Sequence, residues 1–330
     1  RTNMTEFAYS GLGMNPHHGN PRSPWERDVD GGRVAGGSSS GSAVSISDGM
    51  SAATIGSDTG GSTRAPAVFC GIVGLKPTTT RMPSDGIYPL STSFDAAGPM
   101  GHSTDCCAVM DDIMAGGAGR AETPFPVAGL RLVIPRGYLF DELDPEVAAG
   151  FEAAVARLSA AGATISDISL DILEELRPAN RPKSIVSAEA FAIHRDQLAA
   201  RREGYDPYVA SRLVGGSDIL AADYIAMHRE RDATCAAVQA VTRPFDALLL
   251  PTSPCVPPKI APLDTTEALM KASARVLRNT ALSNYLDRPT ITIPCHRAGE
   301  APVGLSLMGS RHHDRRLLAI AAGVEGIVRG

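Results

Sequence analysis

Short apolar runs alternate with longer amphipathic stretches from about residue 130 to the end of the chain. The short runs have the composition or alternation of strands, and they are LRLVI (130–134), ATISDISL (163–170), FDALLL (245–250), PTITIP (289–294) and VGLSLM (303–308). We expect the first of these strands to stop at Pro135, because proline cannot donate to a strand ladder. The longer stretches predict helices over 146–161, 184–202 and 221–242, with a further helix beginning at Leu317.

Strands that alternate with helices predict an α/β fold, with helices around a mixed central sheet. The N-terminal third of the chain has a different pattern, in which Gly, Ser and Ala dominate residues 36–62. There the sequence predicts loops over residues 1–30 and a small-residue helix over 43–54. We find no internal repeat and no low-complexity linker, so residues 1–330 are predicted to form one domain.

Composition limits the classes of function. The chain has 330 residues, of which 43% are hydrophobic and 20% are charged, as in ordinary globular proteins. A net charge of −5 argues against nucleic acid or an anionic membrane as a partner, and no apolar run has the length of a membrane span. None of the six cysteines forms a C-x-x-C pair, so we expect reduced thiols and a cytoplasmic location. The paired histidines, His17-His18 and His312-His313, do not have the spacing of a standard metal site. We expect neither a metal nor an organic cofactor.

Two Gly/Ser-rich segments carry the candidate chemistry, Gly36–Gly41 and Gly56–Ser62. A nucleophilic serine needs an exposed hydroxyl beside backbone N–H groups that can bind an oxyanion. The run Thr59-Gly60-Gly61-Ser62 offers both, because glycine lets the backbone approach a substrate closely. Neither segment has a histidine close in sequence, so a Ser–Ser–Lys relay with a desolvated lysine would have to serve as the base.

Other interpretations of these segments remain open. Gly/Ser-rich stretches often form flexible loops without any catalytic role. Residues 37–41 also fit G-x-S-x-G, the nucleophile elbow of α/β-hydrolases, in which Ser39 would be the nucleophile. That elbow should follow a hydrophobic strand, whereas here it follows DVDGGRVAG.

The order and flanks of the two segments resemble the amidase signature family. The chain has GGSSSGSA, then GSDTGGSTRAP (56–66), then CGIVGLKPT (70–78), and the separation between Ser38 and Ser62 is also that of the family. Similar segments continue outward as TNMTEF (2–7), FDAAGPM (94–100), FDALLLPTSP (245–254), PTITIP (289–294) and PVGLSLMG (302–309). The resemblance therefore covers essentially the whole chain.

The resemblance implies a role for each residue of the two loops. Ser62 is the expected acylated nucleophile, and Ser38 is the expected bridging serine, preceded by a cis peptide bond from Gly37. The N–H groups expected in the oxyanion hole are those of Thr59, Gly60, Gly61 and Ser62. Asp58 and Arg64 are expected to hold the loop by hydrogen bonds and charge pairing.

The family's base is a lysine well upstream of the first serine. The lysines of this chain, Lys76, Lys183, Lys259 and Lys271, all follow Ser38. We therefore expect a chain that lacks its N-terminal part and is inactive as written, with a relative that has lost the lysine as the alternative.

The function implied is hydrolysis of a small-molecule carboxylic amide through an acyl-enzyme on Ser62. The expected pocket is formed by a variable helical region at about 180–285, and a homodimer is an open alternative to a monomer. Two other functions remain open: the amidase subunit of a glutamine-dependent tRNA amidotransferase, and a non-catalytic scaffold. We associate that amidotransferase subunit with the segments S-x-D-Q-x-G-P and V-S-R-Y-G. The counterparts here are SFDAAGP (Ser93–Pro99) and RMPSDG (Arg81–Gly86), and this difference favours a stand-alone amidase.

Overall fold

A central eight-stranded sheet organises the residues that the computed structural model describes, 1–177 and 183–329. The strands in chain order are β1 (Ala53–Asp58), β2 (Val73–Lys76), β3 (Ala96–Gly101), β4 (Arg131–Arg136), β5 (Thr164–Ser169), β6 (Ala247–Pro251), β7 (Thr290–Pro294) and β8 (Gly304–Met308). Their order across the sheet is β1-β3-β2-β7-β8-β6-β4-β5. Pairing is antiparallel from β1 to β6 in this order, and parallel between β6, β4 and β5. The predicted α/β fold with a mixed sheet is confirmed.

Helices cover the two faces of this sheet. They are α1 (Ser40–Ser47), α2 (Arg64–Phe69), α3 (Thr104–Met114), α4 (Pro145–Ala160), α5 (Asp171–Glu175), α6 (Ile185–Arg201), α7 (Pro207–Val214), α8 (Ala221–Thr242), α9 (Thr266–Leu277), α10 (Thr280–Tyr285) and α11 (Asp314–Val328). Within the described ranges, no helix is both long enough and apolar enough to cross a membrane.

Alternation along the strands divides the core into layers. Leu132 and Ile134 of β4 pack with α4 and α11 on one face, whereas Val133 between them packs on the opposite face near α8 and α10. Side chains of successive strand residues point to opposite faces, so a strand covered on both faces is apolar at consecutive positions, as β4 is from Leu132 to Ile134. The second face is the one that carries the helices of the candidate site.

Most elements predicted from the apolar pattern are present within a few residues of their predicted bounds. Two predictions are wrong. Strand β4 runs through Pro135, which pairs with Ile168 of β5. On its other side β4 pairs with β6 only at Leu132 and Val133, so the missing proline donor falls where that ladder has ended. The helix predicted over 43–54 covers 40–47, and residues 53–54 already belong to β1.

Candidate active site

The two Gly/Ser-rich segments meet beside the end of β1. Residues 36–39 lead into α1, and residues 59–63 connect β1 to α2. The Ser39 N–H donates to the Ser62 carbonyl at 3.2 Å, which joins the two loops directly. The Thr5 N–H donates to the Ser38 carbonyl at 3.0 Å, so the first residues of the chain hold the Ser38 loop from the other side.

Ser38 is preceded by the peptide geometry that the resemblance implied. The peptide bond between Gly37 and Ser38 is cis. Ser38 is fully buried, and its Oγ has no hydrogen-bond partner among the described residues. An unsatisfied buried hydroxyl is costly, so such groups are often explained by a catalytic role or an absent partner.

A buried ion pair between Asp58 and Arg64 holds the Ser62 loop. Both residues are almost completely buried, and Arg64 Nη2 donates to Asp58 Oδ1 at 2.9 Å. Asp58 also accepts hydrogen bonds from the N–H groups of Gly61 at 2.8 Å and Thr63 at 3.0 Å. Arg64 extends to α10, where it donates to the Thr280 carbonyl at 2.9 Å. The pair therefore ties the loop to a helix that is distant in sequence.

Burial alone would raise the pKa of the Asp58 carboxyl, because it disfavours the charged form. The Arg64 charge and the hydrogen bonds from Arg64, Thr63 and Asn284 outweigh this effect and hold the pKa of Asp58 well below its usual range. Asp58 is therefore a carboxylate at neutral pH, and its ion pair with Arg64 is maintained there.

The loop presents backbone donors that could bind an oxyanion. One expected donor is already used, because the Gly61 N–H donates to Asp58 Oδ1. The N–H groups of Thr59, Gly60 and Ser62 make no hydrogen bond to another described residue. These donors, without that of Gly61, are the available part of the expected oxyanion hole.

Thr59 has a supporting residue that the sequence did not identify. Its hydroxyl donates to Asp95 Oδ1 at 2.5 Å, and the other oxygen of Asp95 accepts from the N–H groups of Leu90 at 2.8 Å and Ser91 at 3.0 Å. Asp95 lies in the FDAAGPM segment, which was noted only as part of the family resemblance. Its carboxylate fixes the Thr59 side chain at the start of the Ser62 loop.

A cavity of about 490 Å³ opens beside Ser62. Thr59, Gly60 and Ser62 form one wall, and residues of α6–α10 contribute much of the rest. The predicted helical region at about 180–285 thus supplies a large share of the lining. Two aromatic residues of the N-terminal part do not line this cavity: Trp25 stacks under Arg33, and Tyr88 packs against Phe7 and His194.

A third aromatic residue of the N-terminal part, Tyr9, lines the cavity. Arg212 and Arg278 line it as well, and the sequence offered no reason to select them. Nothing in their local sequence identifies them, because only the tertiary packing of α7 and α9 brings them to a loop about 150 to 220 positions earlier in the chain.

None of the lysines is bonded to Ser38 Oγ, which has no partner in the described ranges. Lys76 is fully buried, and its amine donates to the Pro77 carbonyl at 2.7 Å. Burial lowers the pKa of Lys76 to about 8, and the nearby Arg64 charge acts in the same direction. Lys183 and Lys259 form ion pairs at the surface.

Comparison with known proteins gives a consistent result. The family model described as Amidase matches residues 1–318. The chain is 36% identical to 2-amino-5-chloromuconic acid deaminase of Comamonas testosteroni, over 99% of this chain and 71% of that protein. It is 30% identical to a subunit of the glutamyl-tRNA(Gln) amidotransferase of Cupriavidus taiwanensis, over 97% of this chain and 72% of that protein. A solved structure described as an amidase superposes with a TM-score of 0.86 at 32% identity, over 99% of this chain and 74% of the other.

Proposed function

This chain belongs to the amidase family, and from that membership we propose that Ser62 is the nucleophile with which it hydrolyses the carbon–nitrogen bond of a small carboxylic amide. The observation that carries the proposal is the position of Ser62 on the wall of the cavity, next to backbone N–H groups that have no other partner in the described ranges. A serine beside such donors is the arrangement that acyl transfer requires.

In the first half of the reaction, Ser62 Oγ attacks the amide carbonyl carbon. The carbonyl oxygen becomes an oxyanion and accepts hydrogen bonds from the N–H groups of Thr59, Gly60 and Ser62. The proton of Ser62 passes to Ser38 Oγ, as a base accepts the proton of Ser38. Collapse of the tetrahedral intermediate breaks the carbon–nitrogen bond, and the nitrogen leaves with the proton returned through Ser38.

In the second half, water attacks the ester of Ser62. Its proton follows the same route to the base, the acid product leaves, and Ser62 regains its hydroxyl. Ser38 fits this relay because its buried Oγ has no competing partner in the described part of the chain. Lys76 is a poor candidate for the base, because its amine already donates to the Pro77 carbonyl next to β2.

A small-molecule substrate is supported by the relative from Comamonas testosteroni, whose name identifies a small acid as its substrate. The amidotransferase subunit is the less similar of the two relatives. Its role as the ammonia-donating part of a larger complex is therefore the second candidate function. Cytoplasmic location and a homodimer remain predictions, and the location is supported by six cysteines that are all free thiols.

A fluorophosphonate probe tests the assignment of the nucleophile. Peptide mapping after labelling should place the adduct on Ser62, and Ser62→Ala should abolish it. Ser39→Ala is the matched control, because Ser39 is the nucleophile of the alternative elbow and its loss should leave the adduct in place. An adduct on Ser39 would contradict the proposal and favour an α/β-hydrolase mechanism.

A further inference from the structure

The charged residues that line the cavity beside Ser62 are all cationic. They are Lys183, Arg212 and Arg278, and no Asp or Glu belongs to the described part of the lining. Most of the other lining side chains are apolar, among them Leu90, Phe94 and Leu277. A mostly apolar pocket with a few convergent charges fixes a ligand by those charges.

One of the three charges is already compensated. Lys183 Nζ lies 3.8 Å from Asp218 Oδ2 and 3.7 Å from Asp223 Oδ2. Arg212 and Arg278, in contrast, form no ion pair with a carboxylate in the described ranges. The unbalanced positive charge of the cavity is therefore that of the two arginines.

Both arginines are held by neutral acceptors. Arg212 Nη1 donates to the Tyr9 carbonyl at 2.7 Å, and its guanidinium lies 3.9 Å from the Tyr9 ring centroid. Arg278 donates through Nε to the Asn279 side-chain oxygen at 3.1 Å and through Nη2 to the Leu139 carbonyl at 3.2 Å. These contacts orient each guanidinium, and each retains further N–H groups, because arginine has five donors.

The neighbours of Arg278 in sequence contact the Ser62 loop and so hold Arg278 close to it. Thr280 Oγ1 donates to the Gly60 carbonyl at 2.7 Å. A Cβ placed on Gly60 would lie 4.0 Å from Leu277 Cδ1. Arg278 lies between these two residues, at the junction of α9 and α10. Burial lowers the pKa of Arg278, although the charge of Asp141 acts in the opposite direction.

We propose that the acyl group of the substrate carries a carboxylate, which Arg278 and Arg212 bind while its hydrocarbon part packs on the apolar wall. The proposal rests on the proposed function, in which Ser62 attacks the amide in this cavity. Arginine suits this role because its planar guanidinium binds carboxylates through paired, charge-assisted hydrogen bonds. The substrate class is thus the monoamides of dicarboxylic acids.

A structural role for the two arginines is the competing interpretation. Arg212 would then only fix Tyr9, and Arg278 would only fix the turn at Leu139. Under that interpretation the cavity would not distinguish an anionic amide from a neutral one of the same shape. Ligand charge therefore separates the two interpretations.

Calorimetric titration measures this selectivity without any catalytic turnover. The probes are monoamides from malonamate to adipamate, each compared with its neutral diamide. We expect the best monoamide to bind about tenfold or more tightly than its diamide, in line with one or two charge-assisted hydrogen bonds. This preference should shrink as salt is added, because salt screens charge pairs.

Substitutions of the arginines test whether they cause the preference for the monoamide. Arg278→Gln should lower affinity for the monoamide about tenfold and leave that for the diamide nearly unchanged. Arg278→Lys should retain part of the preference and guards against loss of folding in the first variant. Arg243→Gln, at an exposed position outside the cavity, is the control of equal charge and should change neither affinity.

Equal binding of monoamide and diamide by the unaltered chain would overturn the proposal, and so would the absence of binding of either. Retention of the preference in both Arg278→Gln and Arg212→Gln would also overturn it. Fluorophosphonate labelling of Ser62 in the same samples reports on the proposed function separately. A labelled chain without charge selectivity would refute the carboxylate site and leave the nucleophile assignment intact.

Discussion

Replacement of Arg64 by methionine tests how the active-site loop is held. Arg64 makes five hydrogen bonds, two of them to Asp58, and the side chains of the pair are 1% and 0% exposed. Loss of one partner of a buried ion pair costs about 3–5 kcal/mol, because the other charge is left buried without compensation. We expect Arg64→Met to lower the free energy of unfolding by that amount at pH 7.

The destabilisation caused by Arg64→Met should depend on pH. In the unaltered chain the pKa of Asp58 is lowered, so its contribution to stability is complete above the unfolded pKa of about 4 and is lost only as the pH falls through the folded value. Without Arg64, burial raises the pKa of Asp58, so stability is lost as the pH rises from the unfolded value toward the new folded one. The destabilisation should therefore be larger at pH 7 than at pH 5, by about 1 kcal/mol or more.

Urea denaturation at the two pH values measures both effects. Arg195→Met is the matched control, because Arg195 forms an ion pair in which both side chains are mostly exposed, 65% and 93%. Such pairs contribute about 0–1 kcal/mol. A cost for Arg64→Met similar to that of the control, or a cost that does not change with pH, would refute this account of the loop.

Three further changes probe single features of the site. Lys76→Met should leave fluorophosphonate labelling unchanged. As the pH rises from the folded pKa of Lys76, about 8, toward its higher unfolded value, the unaltered chain should become more stable relative to this variant, by roughly 1–3 kcal/mol. Gly61→Ala, at a φ of +132°, should slow labelling and destabilise the chain by roughly 1–3 kcal/mol, whereas Gly86→Ala, at a φ of +81° in open space, should cost less and leave labelling unchanged. Thr59→Val should cost about 1–3 kcal/mol and slow labelling, because the partly buried carboxylate of Asp95 loses a donor. An unaltered labelling rate would show that the Thr59 hydroxyl does not position the loop.

The apolar pattern predicted the sheet from β4 onward. Strands β4, β6, β7 and β8 are buried along most of their length and contain aliphatic side chains, and the edge strand β5 was recognised by its alternation. It missed β1, β2 and β3, each of which is short and contains at least one glycine. Two of their glycines are required by close packing. A Cβ on Gly56 would lie 2.5 Å from Ser39 Oγ, and one on Gly74 would lie 2.5 Å from the Thr63 carbonyl. Small residues that let a neighbouring loop pack closely against a strand lack the apolar pattern from which a strand is predicted.

The candidate nucleophile could be selected from local sequence, because Ser62 and its glycines are contiguous. Local sequence could not show which backbone N–H groups of the loop already donate to another residue. The Gly61 N–H is taken by Asp58, which follows only from the folded geometry of the loop. Arg212 and Arg278 could not be selected either, because single arginines within or next to amphipathic helices usually face solvent, and only the folded structure shows that these two line the cavity.

The stoichiometry of acylation by an activated ester is the most direct measurement of whether Ser62 is the nucleophile. A p-nitrophenyl ester has a good leaving group and places little demand on the general base, so the attack itself is observed. We predict a burst of nitrophenol equivalent to one acyl group per chain, with the added mass located on the peptide that contains Ser62 and absent from Ser62→Ala. Acylation of a different residue, or an equal burst from Ser62→Ala, would contradict the assignment of Ser62 as the nucleophile.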